Sequence, residues 1–432
     1  MAKRHRSQSS DWGSILCRLE EVTLANSGEN TFEEVFKLLV AKFWAEHSHP
    51  DEPFGNPADA KETARQINGF LRSADSSWPN LLNEPFSKLK DDHLVVCTEV
   101  LASHWLSDAE FEVLDAAFEH LMSRTSKGNK GQYFTPRPVV ELCVRLLQPK
   151  PGEQICDPAC GSGAFLVHAY KHLKNADTSA KARLWGFDFD QRATRVARAL
   201  LLFAGAPDAT IAEVNSLLNT RVEVDLFASS SAANEVLTIE DVVQGPCSKP
   251  KHGLFDVILT NPPFAGEIKE ARLLNSYELY RPNRRIDRDV LFIERCLDLL
   301  KPLGRMAIVL PHNKLAGESW SYARQWLIER FCVVAVIGLG RNTFLPHTHQ
   351  KTSIVVGYKR PKILKKLSPE PIFFAVSERE GKDSKGQYMW KMGQEHDSSL
   401  WSKTDHDFDE VLNQFLPVRA DLSKDWGEYG AI

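Results

Sequence analysis

The stretch Gln154-Ile-Cys-Asp-Pro-Ala-Cys-Gly-Ser-Gly-Ala-Phe165 most constrains what this chain can fold into. A short apolar strand runs into Asp157, a turn carrying Gly161 and Gly163 follows, and residues 164–173 have helical character. Strand, glycine turn and helix in direct succession form the opening of a parallel βαβ unit, whose helix-start amides can approach a nucleotide-like ligand. The same alternation recurs downstream. Apolar runs at 183–190, 210–214, 256–260, 305–310, 333–337 and 352–358 are interleaved with helical stretches at 193–203, 290–300 and 320–330. Runs that are short and apolar throughout, like 256–260, are buried on both faces of a sheet. The expected fold is α/β, a Rossmann-like doubly wound sheet.

Upstream the pattern is helical. Thr31-Phe-Glu-Glu34 has the form of a capping box and precedes Phe32, Val35, Phe36, Leu39 and Phe43 at helical spacing. Ser107-Asp-Ala-Glu110 repeats it before Phe111, Leu114, Phe118 and Leu121. Residues 1–125 are therefore expected to be a helical domain, 126–380 the α/β domain and 381–432 a short extension. Residues 227–250, rich in Ser, Ala and Asn at first, read as an insertion or loop. His47 and His49 lie beside a proline with no carboxylate or cysteine cluster, so no metal site is expected.

Composition bears on partners and compartment. Eight scattered cysteines without a CxxC pair, and no apolar run of membrane-spanning length, point to the cytoplasm and away from the membrane. A net charge of −4 is not that of a free-standing nucleic-acid binder, whose affinity comes largely from Lys and Arg on phosphates. Any nucleic-acid contact must come from local patches or from a partner. Two candidate patches are Arg281, Arg284, Arg285 and Arg288, and the run from Lys351 to Lys366 with Lys359, Arg360, Lys362 and Lys365. Such runs are more often solvated faces. No GxxxxGK[ST] loop is present.

Two further features concern chemistry. Asp188 stands twenty-five residues beyond Gly163 at the end of the next strand, where a carboxylate can accept ribose hydroxyls, although Asp190 is an equally placed competitor. Asn261-Pro-Pro-Phe264 closes the buried run at 256–260. The Asn261 side-chain oxygen and the Pro262 carbonyl can accept both N–H bonds of an exocyclic amine such as that of adenine. That favours a pyramidal nitrogen with a localised lone pair. Pro262 and Pro263 fix the turn, and Phe264 offers a stacking face worth about 1–3 kcal/mol in single-strand binders.

Gly131-Gln-Tyr-Phe-Thr-Pro136, then Asp157–Phe165, then Asn261–Phe264 is the gamma order of motifs. Over residues 131–358 the chain resembles N6-adenine DNA methyltransferases, and most closely the modification subunit of type I restriction–modification systems. The resemblance implies a class I methyltransferase sheet and S-adenosylmethionine as cofactor. Tyr133, Phe134 and Thr135, with Pro136, would hold its methionine end, bordered by Asp157, Ala159, Gly161 and Gly163. Asp188 would take the ribose, Phe189 would lie beside the cofactor's adenine, and Asn215 would face its amino group. Asn261, Pro262, Pro263 and Phe264 would hold an adenine flipped from double-stranded DNA, with Phe344 as a second stacking aromatic. Two departures stand out: many relatives have Glu at Asp188 and Asp at Asn215.

Residues 381–432 are too few for a target-recognition domain, which implies a separate specificity subunit and a restriction subunit as partners. Two alternatives remain open: methylation of a protein glutamine or an RNA base, and a non-catalytic assembly subunit with this fold.

Overall fold

The computed structural model describes residues 12–26, 30–106, 114, 115, 118, 134–219, 238–245, 253–264, 266–282, 285–366, 368–393 and 399–429. The chain divides into two compact units, residues 1–128 with 198–205, and residues 129–197 with 206–432.

The first unit is helical: α1 Trp12–Asn26, α2 Thr31–Ser48, α3 Ala60–Ser77 and α4 Asp91–Ala102. The stripe expected on α2 is its core face, with Phe32, Val35, Phe36 and Leu39 all buried. Phe36 meets the buried Phe118 edge to face, with centroids 5.8 Å apart. Burying each such side chain stabilises by roughly 1.5–3 kcal/mol. The capping box expected at Thr31 is not formed there. The N-cap is Asn30, whose side chain accepts from the Glu33 N–H, and Thr31 is the first helical residue. Glu34 is buried instead and binds Lys37 Nζ at 2.8 Å and Ser87 Oγ at 2.5 Å. The motif at 107–110 lies outside the described residues. His47 stacks on Phe43, and His49 Nδ1 lies 3.2 Å from Glu52 Oε1.

The second unit runs α5 Arg137–Leu147, β1 Gln154–Asp157, α6 Ala164–Ala176, β2 Arg183–Asp188, the first part of α7 Gln191–Phe203 (198–203 belong to the first unit), β3 Thr210–Glu213, α8 Ile239–Gln244 and β4 Phe255–Thr260. It continues with α9 Ala271–Asn275, α10 Arg288–Leu299, β5 Leu300–Pro311, α11 His312–Ala316, α12 Ser321–Arg330, β6 Phe331–Gly338, β7 Thr352–Lys359 and β8 Phe373–Val376. The helices α13 Leu400–Lys403 and α14 Phe408–Tyr429 complete it. The strands form one sheet in the order β3-β2-β1-β4-β5-β7-β6-β8. β7 is antiparallel to both its neighbours, and the other pairings are parallel. The order reverses between β1 and β4, so the crevice at their carboxyl ends is the place where open α/β sheets bind ligands. Beneath it lies a core that includes Cys156, Phe187, Phe255, Ile258 and Ile308.

Three segments differ from the sequence expectation. Part of the loop expected at 227–250 is helix α8, opened by a reciprocal box between Thr238 and Asp241. Its Glu240 forms two 2.7 Å hydrogen bonds with the fully buried guanidinium of Arg295, which also donates to the Ser216 carbonyl. α5 is an addition to the expected elements, although Arg137, Glu141 and Arg145 recur every four residues among apolar neighbours, nearly all of them buried. The residues after 381 are not an appendage: Trp401, Phe408 and Phe415 are core residues, and the Arg145 guanidinium of α5 lies 4.3 Å from the Trp401 ring. No helix among the described residues is long and apolar enough to cross a membrane.

Candidate active site

The glycine turn after β1 is fastened on all sides. Asp157 Oδ1 accepts from the Ala159 N–H at 3.0 Å, the Cys160 N–H donates to the Phe187 carbonyl at 2.9 Å, and the Gly161 N–H donates to Asp188 Oδ2 at 2.9 Å. Gly163 favours glycine twice over: its φ is +84°, and a Cβ would stand a tight 3.1 Å from that of Ala197. Gly161 (φ +52°) is different: a Cβ there would meet nothing within 4 Å, so its backbone faces open space. Asp157 is buried, with the Ala159 N–H and the Thr260 hydroxyl against its carboxyl. Burial pushes its carboxyl up to about 7, and nearby Asp188 adds to the rise.

At the ends of β2 and β3 the structure separates two competitors. Asp190 Oδ1 accepts from the N–H groups of Arg192 and Ala193 and caps α7. Asp188 holds the glycine turn through Oδ2 and the Asp190 N–H through Oδ1, and burial raises its pKa. Each carboxylate oxygen has a second lone pair, so acceptor capacity remains. Phe189, next to it, is 74% exposed, an unusual position for a phenylalanine without a partner surface. Asn215, after β3, uses Oδ1 to accept from the Leu217 N–H at 3.2 Å.

Asn261 leaves the end of β4. Its Nδ2 donates to Thr135 Oγ1 at 2.9 Å, while its buried Oδ1 has no hydrogen-bond partner among the described residues. A buried amide oxygen left unpaired costs about 1–3 kcal/mol, and a ligand N–H would recover it. Thr135 and Asn261 are thus one unit although 126 residues separate them. Pro262 is buried, Pro263 half-buried, and Phe264 packs edge to face on the fully buried Phe344, with centroids 5.3 Å apart and planes at 73°. The two aromatics expected to flank a base are thus in contact with one another. Phe134 is half-buried near His347, and Tyr133 lies outside the described residues.

Sequence reasoning missed what holds the loop after Phe264. The Arg288 N–H donates to the Gly266 carbonyl, and Asp287 bridges Glu267. Lys314, buried on α11, binds the Asp287 carboxylate, lies 3.5 Å from Asp289 and 3.9 Å from the centroid of Trp320. Burial pushes the Asp289 carboxyl up to about 7 against the pull of Lys314.

The basic candidates are largely committed. Arg285 lies within 3.8 Å of both Glu267 and Asp287, and Arg281 donates to the Glu278 carbonyl while its guanidinium lies over Tyr322. Arg284 lies outside the described residues, and Arg288 is half-buried against Gly266. Lys359 donates to the carbonyls of Leu297 and Leu300, and Arg360 pairs with Glu370. Lys351, Lys362 and Lys365 are exposed.

A doubly wound sheet with a glycine turn, a strand-end acid and an Asn-Pro-Pro-Phe turn at one crevice is the arrangement of the class I methyltransferase fold. The chain belongs to the N-6 DNA methylase family, whose model matches residues 109–404. It is 29% identical over 232 residues to the type I restriction enzyme EcoEI methylase subunit of Escherichia coli, covering 53% of this chain and 43% of that protein. The chain therefore spans under half the length of that relative. Among solved structures, a chain of Vibrio vulnificus YJ016, provisionally described as a modification subunit of a type I restriction enzyme, superposes with a TM-score of 0.62 and 18% identity over 95% of this chain and 90% of that one. The type I restriction–modification methyltransferase subunit of Streptococcus thermophilus gives a TM-score of 0.58 at 17% identity, over 95% and 94%. At such identities the two structures bear on the fold alone.

Proposed function

We propose that this chain methylates adenine N6 in double-stranded DNA, as the modification subunit of a type I restriction–modification or related defence system. The observation that carries the reading is Asn261: Thr135 fixes its amide with the nitrogen turned away, leaving a buried acceptor unpaired among the described residues at the carboxyl end of β4. Such an acceptor suits an amine N–H. The Pro262 carbonyl would take the second, and Phe264 and Phe344 would flank the base once their mutual contact opens. Flipping the base from the duplex costs a few kcal/mol.

The residues at the crevice fit S-adenosylmethionine. Gly161 leaves space over its backbone, Asp157 sets a buried carboxyl beside it, Asp188 retains acceptor capacity and Phe189 presents an open aromatic face. When bound, this group supplies an electrophilic methyl on a sulfonium. The protein's own part is positioning: acceptors that localise the amine lone pair, an aromatic face that orients the ring, and a turn that fixes both. No strong base is needed, because a methylated ammonium loses its proton readily.

The subunit reading rests on the curated relative's own description as a subunit and on the committed state of Arg281 and Arg285 in the loop after Phe264. A separate specificity subunit would then supply target recognition, and a restriction subunit would complete the system. The family's description as a DNA methylase disfavours protein glutamine or RNA as substrate. The test is N6-methyladenine in the DNA of a host without adenine methylation, measured by nucleoside mass spectrometry, with this chain expressed alone or with its neighbouring genes. Methylation that disappears in Asn261→Ala is the expected result. No methylation in either setting, or methylation that survives the substitution, would overturn the reading.

A further inference from the structure

The residues after β8 reach back to the loop that carries Phe344. Between β6 and β7 the chain makes a turn at 340–347, in which the Leu345 N–H donates to the Asn342 carbonyl and the His347 N–H to that of Phe344. The turn is secured from outside by two side chains of the C-terminal segment. Glu380 Oε1 accepts the Asn342 N–H at 2.8 Å, and Lys382 Nζ donates to the Leu345 carbonyl at 2.8 Å. Phe344 lies between those two anchor points.

The approach is close on both sides. Gly340 lacks a side chain where the Glu380 carboxylate sits, and a Cβ on Gly386 would stand 2.8 Å from the Leu345 carbonyl carbon. The 382–388 segment is itself a tight turn, with Lys382 bridged to Tyr388 and the Asp383 N–H donating to the Gln387 carbonyl. Glu380 is held in turn by α14. Asp407, at the start of that helix, accepts from Ser377 Oγ at 2.7 Å and from the Glu378 N–H at 2.8 Å, and Glu380 bridges His406. Hydrogen bonds thus tie the start of α14 to residues 377–379, and Glu380, next in the chain, to Asn342, two residues before Phe344.

We propose that Glu380 and Lys382 are positioning residues for the target base, acting through the 340–347 turn to set where Phe344 stands relative to Phe264. This rests on the proposed function in one respect only, the assignment of Phe344 to the base. The described hydrogen bonds of both side chains go to the 340–347 turn, not to the glycine turn, so their loss should act on the base far more than on the cofactor.

The test uses the full chain, with DNA assays on material co-expressed with its neighbouring genes. In Glu380→Ala and Lys382→Met, kcat/KM for DNA should fall about tenfold or more. The fluorescence of 2-aminopurine at the target position should change, and S-adenosylmethionine affinity should stay within about twofold of wild type. Glu380→Gln, which keeps the accepting oxygen, should restore most of the loss. Without any DNA, amide hydrogen exchange across 340–347 should accelerate in Glu380→Ala. Wild-type kcat/KM in both variants, unchanged exchange, or a parallel loss of cofactor affinity would overturn the proposal. An inactive wild type would instead defeat the proposed function, with the exchange result still deciding whether the clamp exists.

Discussion

Replacing Thr135 by Val removes a hydroxyl while keeping shape, and its consequence can be worked out from one contact. Thr135 Oγ1 accepts the Asn261 Nδ2–H at 2.9 Å and so decides which end of the amide faces the crevice. A neutral hydrogen bond contributes about 0.5–1.5 kcal/mol net, and a buried donor left unpaired costs about 1–3 kcal/mol. In Thr135→Val the amide gains by turning Nδ2 toward other partners, which presents a donor where the substrate needs an acceptor. A penalty of about 1–2 kcal/mol in restoring the productive orientation lowers the methyl-transfer rate by roughly 5–30-fold. The assay is single-turnover transfer to DNA, with S-adenosylmethionine affinity measured by calorimetry on the same preparation. Thr135→Ser, which keeps the acceptor, should stay within about threefold of wild type, and Asn261→Ala should lose about 100-fold or more, as removal of a preorganised polar partner does elsewhere. Equal rates in Thr135→Val and wild type would refute the reasoning. So would a fall in cofactor affinity as large as the fall in rate, which would assign Thr135 to the methionine end of the cofactor alone.

The remaining predictions concern the glycine turn and its acid. Asp157 has its carboxyl pushed up to about 7 by burial, so below that pH the free chain holds a proton there. A ligand ammonium beside it favours the ionised form, so S-adenosylmethionine affinity should rise with pH toward 7 and then level off. Calorimetry should find a flat profile in Asp157→Asn, and a flat wild-type profile would show that no ammonium sits at Asp157. Gly163→Ala should cost more than about 1 kcal/mol of stability in denaturant titration, since positive φ and the Ala197 contact act together. Gly161→Ala, whose Cβ would point into open space, should mainly weaken cofactor binding, and the reverse ranking would mean the open side of the turn is not the ligand side.

Much of the sheet was legible because its strands are short apolar runs, and 256–260 falls within β4, Phe255–Thr260. β8 lies in a run just as apolar, 372–376, that is not among the expected strands; the structure makes it an edge strand with Phe374 and Val376 exposed. The sequence places Asn261 at a strand end by adjacency. That its amide is oriented by Thr135 depends on a contact across 126 residues, which no local pattern records. Capping at Asn30 rather than Thr31 is an ordinary one-residue ambiguity, because both side chains can accept a helix-start N–H. The role of 380–388 was hidden for another reason: Gly, Lys, Asp and Ser read as a solvated turn whether or not another loop rests on them.

The edge-to-face contact of Phe264 with Phe344 bears on discrimination against small molecules. An aromatic pair of this geometry is worth about 0.5–1.5 kcal/mol beyond its buried area. A base entering between the rings exchanges that contact for two of its own, so the net gain from stacking is small. A free nucleoside, or the adenine of S-adenosylmethionine itself, has little else to offer. An adenine carried on a duplex arrives with the backbone already held by protein, and that binding energy can be spent on parting the rings. Under the proposed function the closed pair therefore works as a filter: it admits a base that is part of DNA and keeps the slot shut to the abundant adenines of the cell.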